Sequence, residues 1–513
     1  MNKGAFRLIF GFMVLVLLVS QCTLAEDPAI SAAYLQDKLE RGQDIFLKGS
    51  TISDDLILRN LNLTRDENNR FIINSSLKFV DCEIKGNLSF GSALFTKPMI
   101  FRDTRFSGTV NLARSKFASY CSFHNAEFQK AAIFDGANFT KDSDFINARF
   151  DSTASLKKAV FCMPAYFREA KFLEDLYFRA TTFQDTIDFE EAEFYKSALF
   201  SQCRFNGTAN YQTASFLDIS GFDDAVSNGE MRFIKSIFSA DANFDNMSFR
   251  NKATFYGSKF RDIARFADAV FEKEAIFTGC KFEGPAEFSS THFQGICRFD
   301  GIEFFKVVKF NNANFSGNAS FFGSYFDRDA KFDGAVFTST LNLSEATFNQ
   351  LFLSWDAIKG HLTKDKKVNQ SLIDNYKSLG WIKDRNQCYF DYRNEKRIFS
   401  EWGFSRIMDT ASFIYWGYGV RPSNAIKCIL GIIILFGLIY KWLAIRSKSN
   451  ISFKDAIVLS ARTLLFKSPG DIKVKGAQAE YVMWIQKAIF GFFVALFIVF
   501  LNQEIQSYFK PPS

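Results

Sequence analysis

Histidine and proline are both scarce in this chain, with 3 His and 8 Pro among 513 residues. So few histidines argue against a catalytic or metal centre built on imidazole side chains. The charged fraction is an ordinary 23%, so the composition excludes both a disordered chain and a small disulfide-rich scaffold. Phenylalanine is the residue in excess, at 65 of 513. That much phenylalanine requires either a membrane or a repeating core.

The net charge of +7 is unevenly distributed along the chain. Lys and Arg balance Asp and Glu over residues 1–80, whereas residues 81–350 carry −4 and residues 351–513 carry +11. A basic segment next to apolar runs indicates a membrane surface first and nucleic acid second.

Phenylalanine recurs in two interleaved series, each with a period of eleven residues. One series runs from Phe106 to Phe348, and the other from Phe101 to Leu343. Extended back to residue 79, the two series define fifty positions, of which forty-four are Phe, and only Ser227 interrupts the first series. A period kept over 79–348 indicates a repeat architecture.

A small residue precedes most of these phenylalanines by two positions, as at Ala126, Ala137 and Cys203. The unit is therefore small-x-Phe-x-x, with alternating lengths of five and six residues. This period fits neither an α-helix nor a long strand, because each unit has one large and one small inward side chain before the chain must turn. Stacked units would bury the rings in columns, and each backbone segment would pair with the next turn at about 4.8 Å. The predicted core is represented by Phe194, Phe205, Phe249 and Phe260.

Three segments that read Ala-Asn-Phe resemble the A-[DN]-[LF]-x-x pattern of pentapeptide-repeat proteins: 137–139, 242–244 and 313–315. The resemblance implies a mainly β fold, a right-handed quadrilateral β-helix with four units per coil. The extra residue in every second unit gives about 22 residues per coil instead of the family's 20, so we expect two slightly wider corners in each coil. Residues 79–348 then make about twelve coils, or roughly 60 Å.

Both ends of a solenoid need caps. We expect a helix over Ala29–Glu40 and irregular first coils over 45–78, which together form a capping region at 26–78. After the repeat, residues 349–424 are expected to form a helical collar, with Leu372 and Tyr376 on one apolar face.

The N-terminus has basic Lys3 and Arg7 before a twelve-residue apolar run. This predicts a signal peptide over 1–25, with an uncleaved anchor helix as the alternative.

Five cysteines fall in the small position of the repeat, and their spacing follows the repeat rather than any C-x-x-C motif: Cys82, Cys121, Cys203, Cys280 and Cys297. We interpret them as small buried core residues.

At Ser227 the spacing of the flanking units is kept, so we expect the coil to continue, with a local void or with Val226 turned inward. A notch for a partner is the functional alternative there.

Two apolar runs near the C-terminus, 426–445 and 482–501, predict a two-span membrane domain over 425–505 with a tail at 506–513. Between them, residues 451–466 are amphipathic with a helical period. The order helix, short re-entrant-like helix, Gly-Asp loop, helix resembles the pore module of two-helix potassium channels.

The filter of that family reads T-x-G-[YF]-G-D, and its carbonyl oxygens replace the hydration shell of the ion. Only Gly470 and Asp471 match it here. Ser468 and Pro469 stand where the family has glycine and an aromatic residue, and Lys467 places a cation in the path. The resemblance therefore implies a degenerate filter loop at residues 468–471.

A signal peptide would place the repeat outside the cytoplasm, and the basic loop between the spans inside, as the positive-inside rule prefers. We therefore predict a multi-pass cell-membrane protein whose extracytoplasmic solenoid is a non-enzymatic scaffold or binding surface. Its expected partners are the lipid bilayer, further copies of the chain through the membrane helices, and an unidentified protein or surface ligand. We expect no nucleic acid, cofactor or metal. The alternative is a subunit of an ion-conducting pore with a large repeat domain. Some pentapeptide-repeat proteins inhibit topoisomerase by mimicking DNA, but a near-neutral, exported rod does not fit that role.

Overall fold

The computed structural model describes residues 29–472, 474 and 476–509. The chain divides into two compact units, Met1–Val368 and Asn369–Ser513. The predicted signal peptide, 1–25, lies outside the described residues, as does the end of the predicted tail at 510–513.

The first unit is a parallel β-solenoid of about 13 turns. One turn contains four short strands, exemplified by Arg105–Phe106, Val110–Asn111, Lys116–Phe117 and Cys121–Ser122. We number the four faces of the solenoid 1 to 4 in this order. Each strand pairs in parallel with the equivalent strand of the next turn, so that Phe106 lies opposite Phe128. The predicted coil length is confirmed, since paired positions such as Arg105 and Glu127 are 22 apart in the sequence.

The strands repeat regularly within each face. Face 1 contains Ala29–Ile30, Thr51–Ile52 and one short strand per turn from Glu83–Ile84 to Glu303–Phe304. Face 2 contains Leu56–Ile57 and then strands from Leu88–Ser89 to Val308–Lys309 at the same interval. Face 3 contains Phe71–Ile73, Ala93–Phe95 and strands from Lys116–Phe117 to Val336–Phe337. Face 4 contains Ile45–Lys48, Leu77–Val80, Met99–Arg102 and strands from Cys121–Ser122 to Leu341–Asn342. Two longer strands, Tyr325–Lys331 and Thr347–Phe352, continue faces 1 and 2 together.

The early strands show that the predicted capping coils at 45–78 are in register with the repeat. Leu47 lies opposite Phe79, for example. This is why the structure has about 13 turns where the repeat alone predicted twelve. The N-terminal helix α1 spans Ala32–Glu40, because Ser31 is extended and its hydroxyl accepts a hydrogen bond from the Tyr34 amide. The predicted start at Ala29 is therefore wrong, and Ala29–Ile30 is a strand.

The phenylalanine rings form four columns inside the solenoid, one behind each face. Phe194, Phe205, Phe249 and Phe260 are each at most 1% exposed. Rings one turn apart are stacked, with centroids 4.6 Å apart for Phe194 and Phe216 and 4.7 Å apart for Phe238 and Phe260. Rings of neighbouring columns meet edge to face, which is the other favourable geometry for aromatic pairs.

The five-residue units turn through a left-handed residue that recurs every eleven residues from Asp103 to Glu345. At one such corner Arg114 has φ 59°, and the Ser115 amide donates to the Leu112 carbonyl at 3.3 Å. This is the geometry of a type II turn, whose third residue has positive φ. The six-residue units make the other two corners of each turn, so the extra residue lies at two corners as expected.

A short helix, α2 (Trp355–Ile358), follows the last strand, and Trp355 and Ile358 are both buried. A 3₁₀ turn at Leu58–Asn60 lies near the other end. Helix α3 spans Lys366–Ser378. Leu372 and Tyr376, the residues expected on one apolar face of this segment, are both buried.

The second unit is helical. Its remaining helices are α4 (Ile382–Phe399), α5 (Phe404–Trp416), α6 (Ser423–Arg446), α7 (Phe453–Leu464) and α8 (Ala477–Phe509). Ser452 and Asp455 form a reciprocal capping box that fixes the start of α7 within the predicted amphipathic segment. Phe436, Tyr440 and Ala444 of α6 pack with Ala456 and Leu459 of α7 in one buried cluster.

One helix in the described part of the chain is long and apolar enough to cross a membrane, namely α6. The predicted second span, 482–501, lies inside α8, which does not meet the same criteria over its described residues. The two-span arrangement therefore remains a prediction.

Candidate binding surface and membrane segment

The column of rings on face 3 is interrupted at Ser227, which is fully buried. Strand Val226–Ser227 pairs with Arg204–Phe205 on one side and Ser248–Phe249 on the other, so the coil continues as predicted. Val226 stays outward and half-buried. The Ser227 hydroxyl donates to the Gly229 carbonyl at 2.9 Å. Of the two expected alternatives, a local void or an inward Val226, the second is therefore wrong, because the strand keeps its alternation.

The small position before each ring is polar at several turns and always points inward. In most five-residue units with a polar small residue, its hydroxyl or thiol donates to the backbone carbonyl 25 residues earlier, as Thr181 does to Leu156 at 2.6 Å and Cys203 to Phe178 at 3.0 Å. Burial raises the pKa of the Cys203 thiol well above its ordinary value. A neutral thiol is a poor nucleophile and a poor metal ligand.

All five repeat-position cysteines are buried free thiols, as predicted from their spacing: Cys82, Cys121, Cys203, Cys280 and Cys297. Cys162 differs, because it follows the inward Phe161 on face 3 and is partly exposed. Over the described residues, no group of three His, Cys, Asp or Glu side chains is placed to hold a metal ion.

Many outward positions of face 1 are charged, and some oppositely charged residues one turn apart form ion pairs. Arg105 pairs with Glu127 at 2.9 Å, and Lys281 pairs with Glu303 at 2.9 Å. These side chains are about half exposed on the basic partner, so each pair contributes at most about 1 kcal/mol. Basic and acidic residues are mixed along this face, with Arg149 next to Lys171 and Lys259 next to Lys281, and we interpret it as a solvated surface.

An apolar strip interrupts that solvated surface at the corner between faces 1 and 2. It consists of Leu173, Tyr195 and Leu217, which each follow an inward Phe and are spaced one turn apart. Tyr195 is 40% exposed and Leu217 is 41% exposed, and Ile219 beside them is 47% exposed. We call Leu173, Tyr195 and Leu217 the apolar ladder.

The sequence analysis did not identify the apolar ladder. The sequence does contain the pattern. When the residues that follow each Phe are compared at intervals of 22 instead of eleven, Leu173, Tyr195 and Leu217 fall on one line. The hydrogen bond from the Tyr195 hydroxyl, together with the Lys171 ammonium, lowers the pKa of Glu193, so a negative charge borders this ladder.

The predicted filter loop follows α7 directly. Ser468, Gly470 and Asp471 are exposed or partly exposed, and Pro469 is half-buried. The Pro469 carbonyl accepts a hydrogen bond from Arg462 Nη1 at 3.3 Å. The Pro469 carbonyl of the predicted filter loop is therefore engaged by a guanidinium of the same chain.

A buried polar cluster links the three C-terminal helices instead. Tyr440 on α6 donates to Gln486 Oε1 at 2.9 Å. Gln486 on α8 donates to the Ser460 carbonyl at 3.0 Å and to Ser460 Oγ at 2.9 Å on α7. Gln486, a polar residue within the second apolar run, thus links the three helices by hydrogen bonds.

Helix α6 has the dimensions of a membrane span. Its 24 residues give about 36 Å at 1.5 Å per residue, against about 30 Å for the hydrocarbon core. Its most apolar window has a mean hydropathy of 2.4, and 28% of that window is buried. The exposed side chains include Ile426, Leu430 and Ile434, which follow one another at four-residue intervals.

Comparison with known proteins identifies the repeat. The family model described as pentapeptide repeats (nine copies) matches residues 156–201, 233–280, 244–292 and 266–313. All of these residues lie within the solenoid. No curated protein matches the chain, and no solved structure does. The chain therefore carries pentapeptide repeats folded as a parallel β-solenoid, as its sequence predicted.

Proposed function

We propose that this protein is a non-enzymatic, membrane-anchored scaffold whose solenoid is displayed outside the cytoplasm and binds a partner through its outer surface. The single observation that carries the binding role is the apolar ladder. Three apolar side chains lie at identical positions of successive turns, with Tyr195 and Leu217 exposed and Leu173 half-buried. Exposed apolar patches on repeat proteins favour protein contact.

The interior of the solenoid cannot serve that role, because columns of stacked rings fill it. A ligand must therefore meet the outer faces. The ladder is also rigid, since each of its residues follows a strand that is hydrogen-bonded to both neighbouring turns. A rigid surface loses little conformational entropy on binding.

Membrane attachment is supported by α6 and by the exposed apolar side chains of the second unit. A core helix of a soluble protein would bury most of its apolar window, whereas α6 buries 28% of it. Trp442 and Arg446 lie near its end, and the Arg446 guanidinium lies 5.4 Å from the Trp442 ring centroid. Such residues are typical of a membrane interface.

The side of the membrane is tested with Cys162, the partly exposed thiol of the solenoid. Intact cells that express the chain are treated with a membrane-impermeant maleimide, and permeabilised cells serve as the reference. Because Cys428 is also partly exposed, the test uses a Cys428→Ser background. We expect labelling of intact cells that is lost when Cys162→Ser is added, while the buried Cys203 and Cys280 label only after denaturation. Labelling that requires permeabilisation would place the solenoid in the cytoplasm and overturn the proposal.

The binding role is tested with a photo-crosslinking amino acid at Leu217. The matched control is Asn206, which also follows an inward Phe but lies on the opposite face 3. We expect a discrete crosslinked band from Leu217 and none from Asn206. Equal crosslinking from both positions, or none from either, would contradict a binding surface at the ladder.

A further inference from the structure

We propose that a cavity in the second unit, formed by α4, α5 and α6, binds the phosphate of an anionic phospholipid, whose acyl chain lies along α6. The proposal rests on the membrane attachment proposed above. It adds a specific ligand class and a site for it.

The cavity has a volume of about 250 Å³. Its lining includes Phe390, Phe413, Arg421, Asn424, Lys427 and Cys428. Two aromatic rings and a thiol form apolar walls, while a guanidinium, an ammonium and an amide supply hydrogen-bond donors. A cavity that combines hydrogen-bond donors with apolar walls is suited to an amphiphilic ligand with an anionic head group.

Arg421 is held in place by the aromatic wall. Its guanidinium carbon lies 3.6 Å from the Phe390 ring centroid, and the Phe390 and Phe413 centroids are 5.6 Å apart. Gly417 allows the Arg421 side chain to pack against the end of α5, because a Cβ at residue 417 would lie only 2.7 Å from Arg421 Cβ. A cation–π contact fixes the guanidinium plane but leaves its N–H groups free to donate.

The charge around the cavity is positive and incompletely neutralised. Arg393 pairs with Asp409 at 2.7 Å. Arg397, whose guanidinium lies 4.4 Å from the Phe413 centroid, has no carboxylate partner in the described part of the chain, and neither Arg421 nor Lys427 has one. Uncompensated cations beside an apolar cavity attract an anion, and the bidentate geometry of arginine suits phosphate.

The helix face below the cavity favours a lipid over free phosphate. Asn424, Lys427 and Cys428 lie on one face of α6, and Gly431 continues that face one turn further on. A Cβ added at Gly431 would meet no atom within 4 Å, so the surface is open there. Leu435 follows, 56% exposed. The cavity lies at the start of the membrane-length helix, at the depth of the headgroups, and an acyl chain can lie against Gly431 and Leu435.

The test uses the full-length chain purified in a mild detergent, with native mass spectrometry as the readout. The probes are phosphatidylglycerol, phosphatidylcholine and inorganic phosphate. We expect phosphatidylglycerol to bind roughly tenfold more tightly than phosphatidylcholine, with Arg421→Gln and Lys427→Gln each removing most of that preference. Lys427 is exposed, so its variant should fold even if Arg421→Gln does not. Lys454→Gln on α7 removes the same charge away from the cavity and should leave the preference unchanged.

Each contrary outcome has its own meaning. Equal losses in Lys427→Gln and Lys454→Gln would show diffuse charge attraction and overturn the site. Inorganic phosphate that binds at the cavity while phosphatidylglycerol does not would make free phosphate the ligand and overturn the lipid assignment. Alkaline carbonate extraction of membranes separates this inference from the proposed function. If the wild-type chain is extracted, membrane attachment itself fails. If the chain stays in the membrane without a lipid preference, only the cavity assignment fails.

Discussion

Replacing Ser227 by phenylalanine would complete the interrupted column on face 3. The rings on either side, Phe205 and Phe249, stack on their outer neighbours at 5.3 and 4.4 Å. Two turns separate these two rings, which corresponds to about 10 Å and therefore to one inserted ring at stacking distance from both. Met247, in the small position of the next turn, is fully buried where most turns have alanine. Methionine fills irregular gaps, so we infer that Met247 occupies part of the space that Ser227 leaves.

The expected free energies follow from these contacts. A ring that fills an existing gap gains about 3–5 kcal/mol, the reverse of a Phe→Ala truncation. Overpacking against Met247 costs about 1–3 kcal/mol, and the lost bond to the Gly229 carbonyl costs about 1 kcal/mol. Ser227→Phe alone should therefore stabilise the turn by about 1 kcal/mol. Met247→Ala alone should cost about 2–4 kcal/mol. Together they should show a favourable coupling of about 2 kcal/mol, since the ring takes the vacated space.

Hydrogen exchange measured by mass spectrometry on the full-length chain reads the local free energy of opening, which suits a repeat whose turns contact only their neighbours. Peptides that cover residues 220–255 report the effect. Ile302, another large residue in a small position, gives the control, because it lies more than three turns away from Ser227. Ser227→Phe and Ile302→Ala should be additive. Additivity within about 0.5 kcal/mol for Ser227→Phe with Met247→Ala would refute the shared space.

Three further outcomes are expected. Phe249→Ala should lower the local free energy of opening by about 3–5 kcal/mol, and hydrogen exchange unchanged from wild type would show that the ring is not part of the core. Ala180→Gly should stabilise the solenoid by roughly 1 kcal/mol in thermal melts, because Ala180 has φ 59°, whereas Ala131→Gly, at a position without positive φ, should destabilise it; equal shifts would contradict the assigned corner. In potassium gradients across a bilayer, the unmodified chain should give no potassium-selective current, with Lys467→Thr as the comparison; a selective current from the unmodified chain would promote the pore alternative.

The solenoid was predictable because its core uses one residue type at one interval. A ring every eleven residues can be buried in only one stacking, and the pairing of Phe117 with Phe139 follows from it. The left-handed corners were not predicted, because Lys158, Glu169 and Ala180 have no preference for positive φ. There the hydrogen bonds to the neighbouring turns impose the conformation. In hindsight 13 of the 23 corner residues from 103 to 345 are Gly, Asn or Asp, which was a readable signal.

The second unit was predictable only in part. Hydropathy placed the candidate span 426–445 within what is helix α6, because hydropathy depends on composition alone. The cavity beside Arg421 depends on how α4, α5 and α6 cross, and no pattern in the sequence fixes those angles. The crosslink through Gln486 was hidden for the same reason, since its partners Tyr440 and Ser460 are 46 and 26 residues away.

Because the interior repeats every half turn, it can accommodate a change in chain length of half a turn as well as of a whole turn. Both ring series and the left-handed corners repeat every half turn, but the outward strips repeat only once per turn. A duplication or loss of one whole turn would therefore preserve both the interior and the lines of the exterior. A change of half a turn would leave the interior intact and rotate everything beyond it by half a revolution. Leu217 would then align with the continuation of face 3, and the apolar ladder would be split between opposite sides. The packing of the interior is compatible with a length change of either half a turn or a whole turn. The line of Leu173, Tyr195 and Leu217 is compatible only with whole turns between these residues.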